Sequence, residues 1–264
     1  MLRPTARVRR NPFFKILADL SRQYLKWYGN SSYKPERNGE RWVLDRLGSE
    51  RFTTILDVGA NVGKWAILAA ERFPAASVHA LEIVPATYEL LRTATGGYRQ
   101  IHPVSLGLSA RAGKLRIRYD PRASAHATFT AYPHTGKVET IECDVSSGDA
   151  FLAAHGITEV DFLKVDVEGA EHLVFQGFQQ ALAGRRIRFV QFEYGRVNIL
   201  TGFLLKNFYD LFAGNGYVVG KIYPDGVDVR DYRLADEDFL GPNYLACRSD
   251  EPLLPRLQGR NDSV

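Results

Sequence analysis

A chain of 264 residues with 45% hydrophobic and 24% charged side chains has the make-up of an ordinary globular protein with enough material for one large α/β core, which excludes global disorder. No run of about 18 apolar residues occurs, so a conventional membrane span is not expected, and the basic, proline-containing start carries no apolar signal segment. The two cysteines, Cys143 and Cys247, fit no metal or redox spacing and read as buried thiols of a reducing compartment, with the cytoplasm as the default.

The net charge of +4 is unevenly placed. Residues 1–34 hold Arg3, Arg7, Arg9, Arg10, Lys15, Arg22, Lys26 and Lys34 against a single acid, Asp19, which is +7 and leaves −3 for the rest. Such an arm suits an acidic polymer, RNA or an anionic membrane surface, or is simply a solvated face; the body is no nucleic-acid surface. Residues 1–10 read as a flexible tail. From Pro12, the apolar residues Phe13, Phe14, Ile16, Leu17, Leu20, Tyr24, Leu25 and Tyr28 recur near helical spacing until Gly29. This helix is expected to pack on the domain, as a lid over the site; the alternative is an interfacial amphipathic helix, peripheral to a membrane. A short helix over 40–47 leads into the first strand.

That strand ends in Ile55-Leu56-Asp57-Val58-Gly59-Ala60-Asn61-Val62-Gly63-Lys64, and a helix follows from Trp65. A strand, a glycine turn and a helix present backbone to a ligand at the carboxyl edge of a sheet. A dinucleotide fingerprint requires Gly-x-Gly-x-x-Gly, whereas this turn reads Asp-x-Gly-x-x-x-Gly. The next apolar run, 77–82, ends in Glu82, whose carboxylate can accept both hydrogens of a ribose diol. Asp57, Gly59, Asn61, Gly63 and Glu82 together resemble the S-adenosylmethionine site of class I methyltransferases.

Pro85 opens a helix that stops at Gly96-Gly97, and strand three spans 101–106. The β–α alternation then lapses. Residues 114–119 and 137–143 alternate at period two around a polar stretch, which predicts an antiparallel hairpin inserted in the sheet with 120–136 as a long loop. A helix over 147–155, a strand over 161–166, a helix over 169–177 and a strand over 188–193 follow. A helix over 203–214, a strand over 217–223, a loop over 224–242 and a strand over 243–248 close the pattern, and 249–264 read as a polar tail. The order implies an open twisted, mostly parallel sheet with helices on both faces and a final antiparallel strand.

The run Asp161-Phe-Leu-Lys-Val-Asp-Val-Glu-Gly-Ala-Glu-His-Leu-Val-Phe-Gln-Gly177 resembles the FkbM family of S-adenosylmethionine-dependent methyltransferases, which carries a Lys-x-Asp-x-Glu-Gly-x-Glu core at the end of its fourth strand. Asp57 to Gly63, Glu82 with Pro85, Asp144 before a short helix, and Phe192-Glu193 match in order. The resemblance implies a Rossmann-like class I methyltransferase domain over 49–248, between an N-terminal segment 1–48 and a tail 249–264. It implies O-methylation of a hydroxyl on a sugar, glycan, glycolipid or natural product, with Asp144 among the cofactor residues. RNA methylation and cofactor binding without turnover are the alternatives.

Activating a hydroxyl needs a base or a metal. Asp166, at the strand end, is the first candidate to meet the acceptor, with Glu168 and His172 beside it. Glu193 on the neighbouring strand should lie next to Asp166, so the two can hold Mg²⁺ or Ca²⁺. Lys164, inside an apolar strand, is expected to pair with an acid such as Asp144 or Glu171.

Overall fold

The computed structural model describes residues 5–119 and 139–258. Its strands are β1 (Thr54–Val58), β2 (Ser77–Leu81), β3 (Ile101–Val104), β4 (Gly107–Ser109), β5 (Gly113–Tyr119), β6 (Glu139–Ser147), β7 (Val160–Val165), β8 (Ile187–Glu193), β9 (Tyr217–Tyr223), β10 (Gly226–Val229) and β11 (Asn243–Arg248). Its helices are α1 (Ala6–Arg10), α2 (Pro12–Tyr28), α3 (Pro35–Asn38), α4 (Glu40–Leu47), α5 (Lys64–Arg72), α6 (Pro85–Thr95), α7 (Gly148–Ala154), α8 (Glu171–Gly177), α9 (Gln179–Ala183), α10 (Asn198–Thr201), α11 (Leu205–Gly214) and α12 (Leu254–Leu257).

The main sheet runs β10-β9-β11-β8-β7-β1-β2-β3. Strands β3, β2, β1, β7 and β8 are parallel, and β11 inserts antiparallel between β8 and β9. Alternation along each strand divides its side chains between two cores. Leu56, Val58, Leu163, Val165, Val190 and Phe192 face α8 and α11 on one side. Ile55, Phe162 and Phe189 face α4 and α5 on the other. On the first side Phe192 stacks with Phe208, Phe212 and Tyr244 at centroid distances of 4.7, 5.3 and 5.7 Å.

Several expectations change. Strand three stops at Val104, and Gly107–Ser109 turns away to join β5 and β6 in a separate three-stranded sheet, so the hairpin is not inserted in the main sheet. A Cβ on Gly107 would fall 2.2 Å from Ile83, which shows how closely this small sheet is seated beside the end of β2. The expected loop 120–136 and the first two residues of the expected second strand, 137–138, lie outside the described residues. The region 224–242 is not one loop: β10 folds back on β9, and Leu234–Asp236 makes a 3₁₀ turn.

Residues on both sides of the expected domain 49–248 pack against its core. Val43, Leu44 and Leu47 of α4 are fully buried in the second core, so a division at residue 48 cuts through it. Beyond residue 248, Leu253 and Leu257 are buried, and Glu251 accepts hydrogen bonds from the Arg188 guanidinium on β8, so the described part of the tail is packed. Helix α2, expected to lie on the domain, has no buried residue at all.

Phe192→Ala is expected to lower the free energy of unfolding by roughly 3–5 kcal/mol, because it empties a site closed by three rings from α11 and β11. Urea denaturation followed by circular dichroism measures it; a loss below about 1 kcal/mol would show that α11 does not close this core.

Candidate active site

The carboxyl edge of the sheet is organised by a polar row. Asp57 on β1 is in register with Lys164 on β7, and Lys164 with Gln191 on β8, so the three side chains share one face of an otherwise apolar sheet. Helix α4 completes the row: Gln191 Nε2 donates to Glu40 Oε1 at 2.5 Å, and Asn38 Nδ2 donates to Glu40 Oε2 at 2.8 Å. Lys164 is buried at its centre, with Nζ 2.8 Å from Asp166 Oδ2 and 3.7 Å from Asp57 Oδ1. Burial opposes the lysine's charge, but the carboxylates of Asp166, Asp57 and Glu40 outweigh it and push its pKa up. Asp57 is completely buried and neither of its oxygens has a hydrogen bond. Burial raises its pKa to about 6 in spite of the nearby ammonium. The expected partners of Lys164, Asp144 and Glu171, are therefore replaced by Asp166 and Asp57.

Two loops meet above this row. At Gly59 the chain takes φ +85°, and a Cβ there would lie 1.8 Å from the Asp166 carbonyl oxygen, so only glycine lets the β1 and β7 loops approach so closely. Gly59 and Ala60 donate their N–H groups to Leu81 O, Asn61 donates to Glu82 Oε2, and Gly63 donates to Ala60 O. These four amides are engaged within the protein and are not offered to a diphosphate. Glu82 is held at both oxygens, Oε2 by Asn61 N and Oε1 by Val84 N, each at 2.9 Å. Every carboxylate oxygen has a second lone pair, so a Glu82 oriented in this way fits the adjacent hydroxyls of a ribose.

After β7, Glu168 (φ +52°) and Gly169 (φ +100°) both adopt left-handed conformations. The turn is braced from the first residue of α8, where Glu171 Oε1 accepts from Val167 N at 3.1 Å and from Gly169 N at 3.2 Å. Burial, reinforced by the charges of Asp166 and Glu171, raises Glu168 to about 8. Burial raises Glu171 to about 7 against the pull of its backbone donors. Burial and the three neighbouring acids raise Glu193 well above the ordinary carboxylate range.

A crevice of about 320 Å³ opens between these loops. Gly59, Asn61 and Glu82 line one part of it, and Asp166, Glu168 and Glu193 line another. An apolar wall comes from Ile83, Leu106 and Leu108 together with Leu115 and Ile117 of the small sheet. Four expected residues stand apart from the crevice wall. Asp57 lies behind it, as the counter-charge of Lys164. Gly63 sits at the start of α5, where a Cβ would meet Leu91 and Thr95. Asp144 is exposed, because alternation along β6 turns its neighbours Cys143 and Val145 inward and leaves it in register with Lys114. His172, the second residue of α8, stacks on Phe203 at 5.1 Å, and burial lowers its pKa.

The Mg²⁺ or Ca²⁺ site at Asp166 and Glu193 gains no support. Lys164 already pairs with Asp166 Oδ2, and no group of three or more His, Cys, Asp or Glu among the described residues is arranged to hold a metal. Sequence reasoning missed Tyr33 and the apolar wall. The alternation of Leu115 and Ile117 marks them as sharing a face, but nothing local shows what that face covers; Tyr33 carries no signal.

The family model of the methyltransferase FkbM domain matches residues 57–219, more than half of the chain. The chain belongs to the FkbM methyltransferase family. Its sheet order, with helices on both faces, is the class I methyltransferase arrangement. The 31-O-demethyl-FK506 methyltransferase FkbM of Streptomyces tacrolimicus is 28% identical over 195 residues, covering 62% of this chain and 72% of the relative. Hexuronic acid methyltransferase AglP of Haloferax volcanii is 27% identical over 160 residues, covering 60% and 64%. Methyltransferase sdnD of Sordaria araneosa is 25% identical over 156 residues, covering 48% of this chain and 60% of its own length. The match with sdnD and AglP thus spans less than two thirds of either relative. Among solved structures, methyltransferase FkbM from Methylobacillus flagellatus aligns with 74% of this chain and 43% of its own at 16% identity and a TM-score of 0.42.

Two measurements probe the charge balance of this FkbM-family site. Asp57, Glu168 and Glu171 bind protons more tightly in the folded than in the unfolded chain. The stability they contribute is complete below their unfolded pKa values, near 4, and is lost as pH rises through about 6 to 8; Lys164 stays charged throughout this window. The urea midpoint is therefore expected to fall between about pH 5.5 and 8.5, and to fall less in Glu168→Gln; a rising midpoint would contradict the assignment. Lys164→Met leaves Asp57 and Glu40 buried without their cation and should cost roughly 3–5 kcal/mol by the same method, with partial recovery in Lys164→Met/Asp57→Asn.

Proposed function

We propose that this protein transfers a methyl group from S-adenosylmethionine to a hydroxyl oxygen of a sugar, glycan, glycolipid or natural product. The observation that carries this reading is one crevice bearing a doubly anchored Glu82 in one part and the Lys164-paired Asp166, with Glu168 and Glu193, in another. Glu82 would hold the ribose hydroxyls. Ile83, Leu106 and Leu108 offer an apolar surface for a flat base, and the engaged amides of the glycine turn favour a nucleoside over a dinucleotide. When bound, S-adenosylmethionine supplies an electrophilic methyl group on a positively charged sulfur.

The acids then divide the remaining work. With Oδ2 directed to Lys164, Asp166 Oδ1 is the atom that would take the acceptor hydroxyl's proton. Glu168, with its pKa near 8, keeps its proton at neutral pH and can donate a hydrogen bond that orients a polyhydroxylated acceptor, while Glu193 beside it, pushed well above the ordinary carboxylate range by burial and the neighbouring acids, adds a second polar contact. Keeping the acceptor oxygen in line with the transferable methyl depends on this orientation, and positioning of this kind contributes a large part of such rates. The acceptor classes draw support from two relatives, one acting on a hexuronic acid and one on 31-O-demethyl-FK506.

Incubation with cofactor labelled in its methyl group and a panel of sugars, nucleotide-sugars and lipid-linked glycans tests the reading. Calorimetry should show Glu82→Ala binding S-adenosylmethionine at least tenfold more weakly. Asp166→Asn should bind it within about twofold of wild type and lose roughly 100-fold or more in turnover. Undiminished turnover in Asp166→Asn, or binding of NAD in place of S-adenosylmethionine, overturns the proposal.

A further inference from the structure

The segment before the domain core has a surface that the crevice chemistry does not use. Residues 5–28 carry Arg7, Arg9, Arg10, Lys15, Arg22 and Lys26 against one acid, Asp19, which is already paired with Arg22. Helix α2 is capped by Asn11, whose side chain accepts from Phe13 N, and begins with Pro12, so its start is well defined. At about 100° per residue, Phe13, Ile16, Leu17, Leu20, Tyr24 and Trp27 fall within an arc of about 100°, while Lys15, Arg22 and Lys26 cluster within about 40° on the other side. The apolar side is exposed: Phe13 by 67%, Leu20 by 62% and Trp27 by 75%. A 17-residue helix with four charges lacks the apolar length to cross a membrane, and none of the described helices has it.

We propose that α2 is an in-plane anchor that docks on an anionic lipid bilayer. The apolar ridge would enter the boundary between headgroups and acyl chains while the cations meet anionic headgroups, an arrangement that needs both halves of this helix. Charge complementarity selects this occupant over the others. RNA or another acidic polymer would satisfy the cations but offers no medium for Phe13, Ile16, Leu20 and Trp27. A second copy would cover the ridge but leave the cations without a role, and it gives no reason for Tyr24, Trp27 and Tyr28 to gather at the helix end, where an aromatic belt meets a lipid interface.

The helix is tied to the body just beyond its end. Asn30 Nδ2 donates to Asn38 O and Ile222 O, both at 2.8 Å. Tyr33, five residues after Tyr28, lines the crevice. Even a fully extended chain spans at most about 18 Å over that interval, so a docked α2 keeps Tyr33, and with it one side of the crevice, close to the bilayer.

Flotation of the 264-residue chain with vesicles of about 30% phosphatidylserine in phosphatidylcholine, against phosphatidylcholine alone, tests the anchor. At least tenfold stronger partitioning onto the anionic vesicles is expected, with a blue shift of tryptophan emission that disappears in Trp27→Phe. Removing one cation, as in Lys26→Ala, should weaken partitioning about fivefold. Leu17→Glu/Leu20→Glu should abolish it with the thermal melt unchanged, since both side chains are exposed. Equal or absent partitioning on both vesicle types overturns the proposal, as does wild-type flotation of Leu17→Glu/Leu20→Glu. A dimer in sedimentation, or an RNA mobility shift, without vesicle binding would assign the face to those partners instead.

Discussion

A single buried ammonium group holds the working end of this molecule together. Lys164 stands buried near the carboxyl ends of β1 and β7, where an unpaired charge would be intolerable, and the protein surrounds it with carboxylates from β1, α4 and the turn after β7. Asp57 and Glu40 are themselves too buried to stand alone, as their raised pKa values show. The row is therefore mutually dependent: the lysine makes Asp57 and Glu40 tolerable, and they in turn keep it charged. Asp166 is the one member of this network that also lines the crevice. Its orientation is inherited from the sheet below, which is how a core interaction reaches the wall of the crevice.

The loops above the row are crowded for the same reason. With Gly59 in contact with the Asp166 carbonyl, the β1 and β7 loops cannot move independently, and Glu171 clamps the second loop through two backbone amides. The left-handed conformation of Glu168 is maintained by this bracing. A cluster of acids drawn so close together keeps some of its protons near neutral pH. Such a site can both receive and donate a proton, and it attracts positive charge.

The N-terminal segment serves two ends. Asn38 and Glu40 reach under the sheet edge and become part of the buried polar row, and Val43, Leu44 and Leu47 are core residues in the full sense. A few residues earlier, α2 buries nothing and turns its apolar side outward. The change happens across Gly29 and Asn30, where the Asn30 side chain fastens the chain to α3 and β9.

What could be read from the sequence was whatever is encoded locally. The strands and helices of the parallel half follow from apolar runs bounded by glycine and proline, and the turn after the first strand from Gly59 and Gly63, with Glu82 at the end of the next apolar run. The placement of Asp166 beside Glu193 follows from strand spacing, because neighbouring parallel strands end together. Tertiary structure decided the rest. The partners of Lys164 depend on the register between β1, β7 and β8, which no single strand encodes. Asp144 and Cys143 are neighbours in sequence, yet β-strand alternation sends them to opposite sides, and only the position of the small sheet shows which side meets the crevice. A helical apolar stripe looks the same whether it faces a core or the outside, so the exposure of α2 could be learned only from its surroundings. Local pattern specifies which residues share a face; what that face meets is set by packing between elements distant in the chain.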